Sequence, residues 1–112
     1  MKKFLLIPAM IFIVCFSAFG QEYSLTEGQE AFLQKLVNQG YLKLKPELNT
    51  AYIDPSLWRD MNIDLKTDVA FVLAVYCTNY KGSSTYWVEI FDLYSGKKLA
   101  KFSETWGLKI AK

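Results

Sequence analysis

The sequence predicts an α+β domain: a small antiparallel sheet centred on a C-terminal hairpin, packed on one long apolar helix with an N-terminal helix nearby. Three observations predict it. Residues 65–80 carry Leu65, Val69, Val72, Leu73, Tyr76 and Tyr80 on one helical stripe of four turns. Residues 86–103 read as two strand-like runs around Tyr94-Ser95-Gly96. Residues 31–37 place Ala31, Phe32, Leu33, Leu36 and Val37 at helical spacing behind a capping signal.

The chain begins with a segment that reads as a secretory signal. Lys2 and Lys3 precede an apolar run from Phe4 to Phe16, and Ala18-Phe19-Gly20 offers small residues before Gln21. Residues 1–20 are therefore expected to leave and residues 21–112 to form a single small domain, periplasmic or extracellular. A retained N-terminal anchor is the alternative. Cys15 follows Val14 rather than a small residue, so it reads as apolar filler and not as a lipidation site.

Removing that segment alters the charge balance. Of 13 basic residues two lie in it, while all 11 acidic residues lie at or after Glu22, so the exported chain is formally neutral. Lys97-Lys98 is the one basic pair left after residues 1–20 are removed. The expectation is no nucleic-acid partner, because nucleic-acid binding needs a positive stripe. Cys77 remains as a single cysteine, so no internal disulfide is available to the exported domain.

Taken in order, Ser24-Leu25-Thr26-Glu27 has capping-box spacing, with Gly40 placed to end a helix from about residue 25 to 39. Tyr41 to Lys45 alternates until Pro46, and Asn49 to Asp54 reads as a better strand. Asp54-Pro55 is a helix start in which Asp caps free amides and Pro loses no hydrogen bond. A short helix with Leu57 and Trp58 should follow. The run VAFVLAVYC (69–77) fits a buried strand or a central helix. The four-turn stripe, Asn62 or Asp64 as cap, and Gly82 beyond the end favour the helix.

The hairpin register follows from charge. A three-residue loop at 94–96, with Gly96 left-handed, pairs Asp92 with Lys98, Phe91 with Leu99, Ile90 with Ala100, Glu89 with Lys101 and Val88 with Phe102. Opposite charges then face each other, worth up to about 1 kcal/mol per pair. Val88, Ile90, Ala100 and Phe102 form the core face. Trp87, Phe91 and Leu99 form a mixed outer face beside the Glu89–Lys101 pair. That face is either covered by the first helix or is a partner surface. Tyr86, Tyr94 and Trp106 join it as aromatics that suit an interface, or else complete the core and its rim.

Catalytic and metal chemistries are mostly excluded. The chain has no histidine, which removes Ser-His-Asp and Cys-His systems and the commonest zinc and copper ligand. Asp60, Asn62 and Asp64 match the start of an EF-hand loop, but Leu65 and Phe71 stand where Gly and Glu are required. Asp54, Asp60, Asp64, Asp68, Glu89 and Asp92 are the candidate carboxylates for glycoside cleavage. Asp54 and Asp64 read as caps, and Glu89 and Asp92 have lysine partners. No catalytic residue, metal ligand or cofactor is assigned.

AYIDPSLW (51–58), Lys66, VYC (75–77), SGKKLAKFS (95–103) and WGLKI (106–110) together resemble a group of small exported bacterial proteins of unknown function. The resemblance covers roughly residues 49–110 and rests on structural residues. It implies one α+β domain outside the cytoplasm, and it brings no activity, cofactor or catalytic residue. The functional expectation is a non-catalytic binding module of the bacterial envelope, with a protein or envelope glycan as partner, contacted through Trp87, Phe91, Leu99, Tyr94 and Trp106. The alternatives are a small carboxylate-dependent hydrolase acting on an envelope glycan, and a module that oligomerises through its edge strand.

Overall fold

Residues 24–82 and 85–111 are described by the computed structural model. The expected signal segment, Cys15 included, lies outside the described residues. Helix α1 spans Glu27–Asn38, strand β1 Leu42–Lys45 and β2 Thr50–Ile53, with a 3-10 turn at Pro46–Leu48 between the strands. Helix α2 spans Pro55–Asp60 and α3 Ile63–Lys81. Strands β3 (Trp87–Asp92), β4 (Lys98–Ser103) and β5 (Gly107–Ile110) complete the chain. The five strands form one sheet in the order β1-β2-β3-β4-β5.

The fold class is the expected α+β, but the sheet is mixed. β2 and β3 run parallel, and every other neighbouring pair is antiparallel. A parallel pair needs a long crossover, which α2 and α3 supply between β2 and β3. Strand β5 was not foreseen as an element: Gly107–Ile110 is short, and only pairing with β4 makes it a strand.

Helix α1 starts two residues later than its first capping signal. Thr26 is the cap: its Oγ1 accepts from Gln29 N–H at 3.1 Å, and Gln29 Oε1 accepts from Thr26 N–H at 2.9 Å. Ser24-x-x-Glu27 and Thr26-x-x-Gln29 share the same spacing, and the structure uses the box whose glutamine is buried. At the other end Gly40 adopts φ +83°, with Tyr41 N–H donating to Leu36 C=O at 2.9 Å and Gly40 N–H to Val37 C=O at 3.1 Å. Those two bonds satisfy carbonyls that the helix itself leaves free.

Helix α2 begins as expected, with Asp54 Oδ1 accepting from Ser56 and Leu57 N–H at 2.8 and 3.1 Å. Helix α3 is capped by Asn62, whose Oδ1 accepts from Leu65 N–H at 2.8 Å, so Asp64 is not the cap. The buried side of α3 is Val69, Ala70, Val72, Leu73, Ala74, Val75, Cys77 and Thr78. That is broader than the expected stripe and rotated away from Tyr80, which is 65% exposed. The small Ala70, Ala74 and Cys77 are buried because α3 is covered both by the sheet and by the 3-10 turn after β1. Lys66 Nζ lies 5.4 Å from the ring centroid of Trp58, which joins the start of α3 to α2.

The core is one cluster. Phe32, Leu33 and Leu36 of α1, Trp58 of α2 and the buried side of α3 meet Leu42, Ala51, Ile53, Val88, Ile90, Ala100 and Phe102 from one face of the sheet. Phe71 meets Phe102 edge-on at 6.0 Å. All three helices place their buried side chains in this cluster. The opposite face of the sheet is therefore uncovered by helix among the described residues.

The hairpin departs from the expected register at one point. Val88–Phe102, Glu89–Lys101 and Ile90–Ala100 pair as expected, but Phe91 then pairs with Lys98 across a bulge at Leu99. The loop is four residues, 93–96, closed by Asp92 N–H to Lys97 C=O at 2.8 Å and Gly96 N–H to Asp92 C=O at 2.9 Å. Asp92 supplies the reason. Its Oδ1 accepts from Tyr94 and Ser95 N–H at 2.7 and 3.1 Å, wrapping the loop one residue earlier. Leu99 is the extra residue that restores register.

Candidate functional site

The uncovered face of the sheet is built from alternate strand residues. Because Leu42, Ala51, Ile53, Val88, Ile90, Ala100 and Phe102 point into the core, their neighbours point away. One row across the sheet reads Lys43, Tyr52, Phe91, Lys98. The next reads Lys45, Thr50, Glu89, Lys101, Lys109. A third reads Trp87, Ser103, Gly107. Aromatic rings thus occupy the middle of the face and ammonium groups its flanks.

Trp87 and Phe91 lie on this face, half-buried, as the sequence predicted. Leu99 does not complete it. At the bulge it is half-buried against the core cluster, and Tyr52 takes the place beside Phe91, with ring centroids 5.6 Å apart. Lys45 Nζ sits 5.7 Å from the Tyr52 centroid. Tyr86 is buried in the core. Tyr94 is 71% exposed in the hairpin loop, and its hydroxyl donates to Asp54 Oδ2 at 3.0 Å. That contact and Asp54's charge raise the Tyr94 pKa. Trp106 is 73% exposed in the β4–β5 turn, with Lys109 Nζ 5.2 Å from its centroid. Tyr94 and Trp106 stand at opposite ends of β4, so the structure does not bring them together.

The ion pair on the face is also not the expected one. Glu89 lies opposite Lys101 in the backbone register, yet its carboxylate pairs with Lys98 at 3.2 Å. The bulge puts Lys98 on the Glu89 side of the sheet. Lys101 is left facing Lys109 across β4 and β5. Lys101, Ser103, Trp106, Gly107 and Lys109 line a shallow cleft of about 140 Å³. Gly107 adopts φ +77° and has no heavy atom within 4 Å of where a Cβ would stand, so its backbone leaves the cleft floor open. Sequence reasoning found Trp106 but missed the lysines. The alternation of Lys43 and Lys45 along β1 was the available signal.

One buried polar residue fixes the edge of this face. Asn49 is 1% exposed and left-handed at φ +51°. Its Nδ2 donates to Trp87 C=O at 2.9 Å, and its own C=O accepts from Glu89 N–H at 2.9 Å. Lys81 Nζ donates to Asn49 Oδ1. Asn49 therefore locks the start of β3, and with it Trp87 and Glu89, to the end of the 3-10 turn.

Burial shifts two further titratable groups. Burial pushes the Cys77 thiol up to about 12, well away from a reactive thiolate. Asp68 is raised by burial and then by Asp64 one turn away. Asp54, one of the carboxylates considered for hydrolysis, is occupied by two helix amides and the Tyr94 hydroxyl. Among the described residues no group of three or more His, Cys, Asp or Glu is arranged to hold a metal ion.

No family model, no curated protein and no solved structure matches the chain. The motif residues that suggested a resemblance have local structural tasks here. Asp54 caps α2, Lys66 covers Trp58, Cys77 packs in α3, and residues 95–103 and 106–110 build β4, β5 and their turns.

Proposed function

We propose that the protein is a non-catalytic binding module of the bacterial envelope that holds its ligand on the uncovered face of the sheet. The observation that carries this reading is the composition of that face. Tyr52, Phe91 and Trp87 run through its centre, Lys43, Lys45, Lys98, Lys101 and Lys109 surround them, and Glu89 is the single acid. A face serving only solubility would carry both charge signs interspersed and few large aromatics. Among the described residues the other acids lie on the helices, on the loops and, as Asp92, at the end of β3, and the aromatics stay half-exposed.

The test is capture from envelope extract by the protein and by Trp87→Ser and Phe91→Ser variants of equal folding. A component kept by the parent and lost by the variants supports the reading. Identical capture by all, or none by any, overturns it.

A further inference from the structure

The two lysines of the β4–β5 cleft break a rule of sheet construction. Lys101 and Lys109 are directly opposite on neighbouring antiparallel strands. Like charges in that position repel and destabilise a sheet. Glu89, the one acid within the row, gives its carboxylate to Lys98 instead. Among the described residues no carboxylate pairs with Lys101 or Lys109. The repulsion coincides with an open floor at Gly107, a hydroxyl at Ser103 and the exposed Trp106 indole. A local conflict retained where donors, a flat ring and open backbone converge is the mark of a site completed by a ligand.

We infer that this cleft binds a carboxylate-bearing sugar ring of an acidic glycan, the carboxylate lying between Lys101 and Lys109 and the sugar packing on the part of the exposed Trp106 indole that the Lys109 ammonium does not cover. The inference rests on the reading of the sheet face as a binding surface and names its ligand class. A cleft of about 140 Å³ is below the usual size of a drug-binding pocket and suits one pyranose ring left partly in solvent. The remainder of the chain would run along Trp87, Phe91 and Tyr52, past Lys98 and Lys45. Ser103 Oγ accepts from Trp106 N–H at 3.0 Å, which leaves its O–H to donate to the sugar.

Other anions fit less well. Every cation on the face is a lysine, and Arg59, the chain's one arginine, lies on α2, so the fork favoured for bidentate phosphate contacts is absent. Single-stranded nucleic acid stacks bases on successive free rings, whereas Tyr52, Phe91 and Trp87 are half-sunk in the sheet. An acidic peptide binds a sheet most readily along a free edge, not on its face. A lipid surface needs neighbouring apolar groups that protrude together. The exposed Leu48, Ile63, Tyr80, Tyr94, Trp106 and Ile110 are instead spread over the 3-10 turn, both ends of α3, the hairpin loop, the β4–β5 turn and the end of β5.

The experiment titrates the protein with an oligogalacturonate and with its methyl ester, following tryptophan fluorescence and heat. The acid should bind at least about tenfold tighter than the ester, as expected for losing a charge-assisted contact, and its binding should weaken with salt. Lys101→Gln and Lys109→Gln should each weaken binding by about tenfold or more, while melting temperature stays level or rises because a repulsion is relieved. Lys35→Gln, on α1, should change nothing. Equal binding of acid and ester, or indifference to both lysine variants, overturns the inference. So does tighter binding of poly-glutamate, a single-stranded oligonucleotide or phosphatidylglycerol vesicles through the same lysines, although the face then remains a binding surface. No binding of any probe, with capture from envelope extract still lost in Trp87→Ser, rejects the acidic glycan alone. Silence in both assays rejects the face as well.

Discussion

Asn49 is where a single substitution should cost most for its size. It is buried, left-handed, and joins three partners: Trp87, Glu89 and Lys81. Asn49→Ala removes the side-chain donor to Trp87 C=O, a net loss of about 1 kcal/mol that grows if the carbonyl finds no water. Alanine also meets the left-handed backbone with a Cβ and no compensating side-chain hydrogen bond, about 1 kcal/mol more. Lys81 is exposed, so its contact adds little. The sum is about 2–3 kcal/mol. Asn49→Gly loses the same hydrogen bonds but escapes the backbone strain, so it should be milder than alanine by about 1 kcal/mol. Urea or thermal unfolding measures both. For a domain of this size 1 kcal/mol shifts the melting temperature by about 4–8 °C. An alanine variant within about 0.5 kcal/mol of the parent, or a glycine variant worse than alanine, would falsify the assignment of Asn49 as a backbone lock.

Other outcomes follow from the same structure. Asp54→Ala should destabilise by about 1 kcal/mol through loss of the α2 cap, while Asp54→Asn retains most of the stability because it still accepts the amides; chemical denaturation compares them. Cys77 should resist thiol reagents in the native state. With its pKa pushed up to about 12, only about one molecule in ten thousand is thiolate at pH 8, and the group is fully buried; rapid labelling without denaturant would show that α3 opens. Asp92 is held below the ordinary aspartate range by the amides of Ser95 and Tyr94. Its folded pKa is depressed, so the stability it lends is present above the unfolded pKa and is lost as pH falls through the folded one. A carboxyl titration by NMR should place its midpoint below that of an unstructured aspartate, and a midpoint at or above that value removes the loop mechanism.

Much of this protein was legible one element at a time. Caps, glycines and apolar spacing are local signals, because a helix end must satisfy its own amides and carbonyls whatever surrounds it. Asp54-Pro55, Gly40, Gly82 and the stripe in 65–80 therefore placed three helices, and cross-strand charge placed the middle of the hairpin. The errors in helix start and loop length occurred where two local signals competed. Thr26-Gln29 displaced Ser24-Glu27, and the Asp92 side chain set a four-residue loop that forced the bulge at Leu99.

The face of the sheet belongs to the other category. Lys43, Lys45, Lys98, Lys101 and Lys109 are dispersed along the chain, and no run of positive charge announces them. Expecting no positive stripe was reasonable from linear spacing, but the folded sheet assembles one. Parallel pairing of β2 with β3 brings Tyr52 beside Phe91, and antiparallel pairing of β5 with β4 sets Lys109 opposite Lys101. Sequence by itself determined where helices start and stop and which side of the hairpin is buried. Tertiary structure alone decided which strands are neighbours, because pairing depends on contacts between residues far apart in the chain, and the side chains of a face become a site only after those strands align.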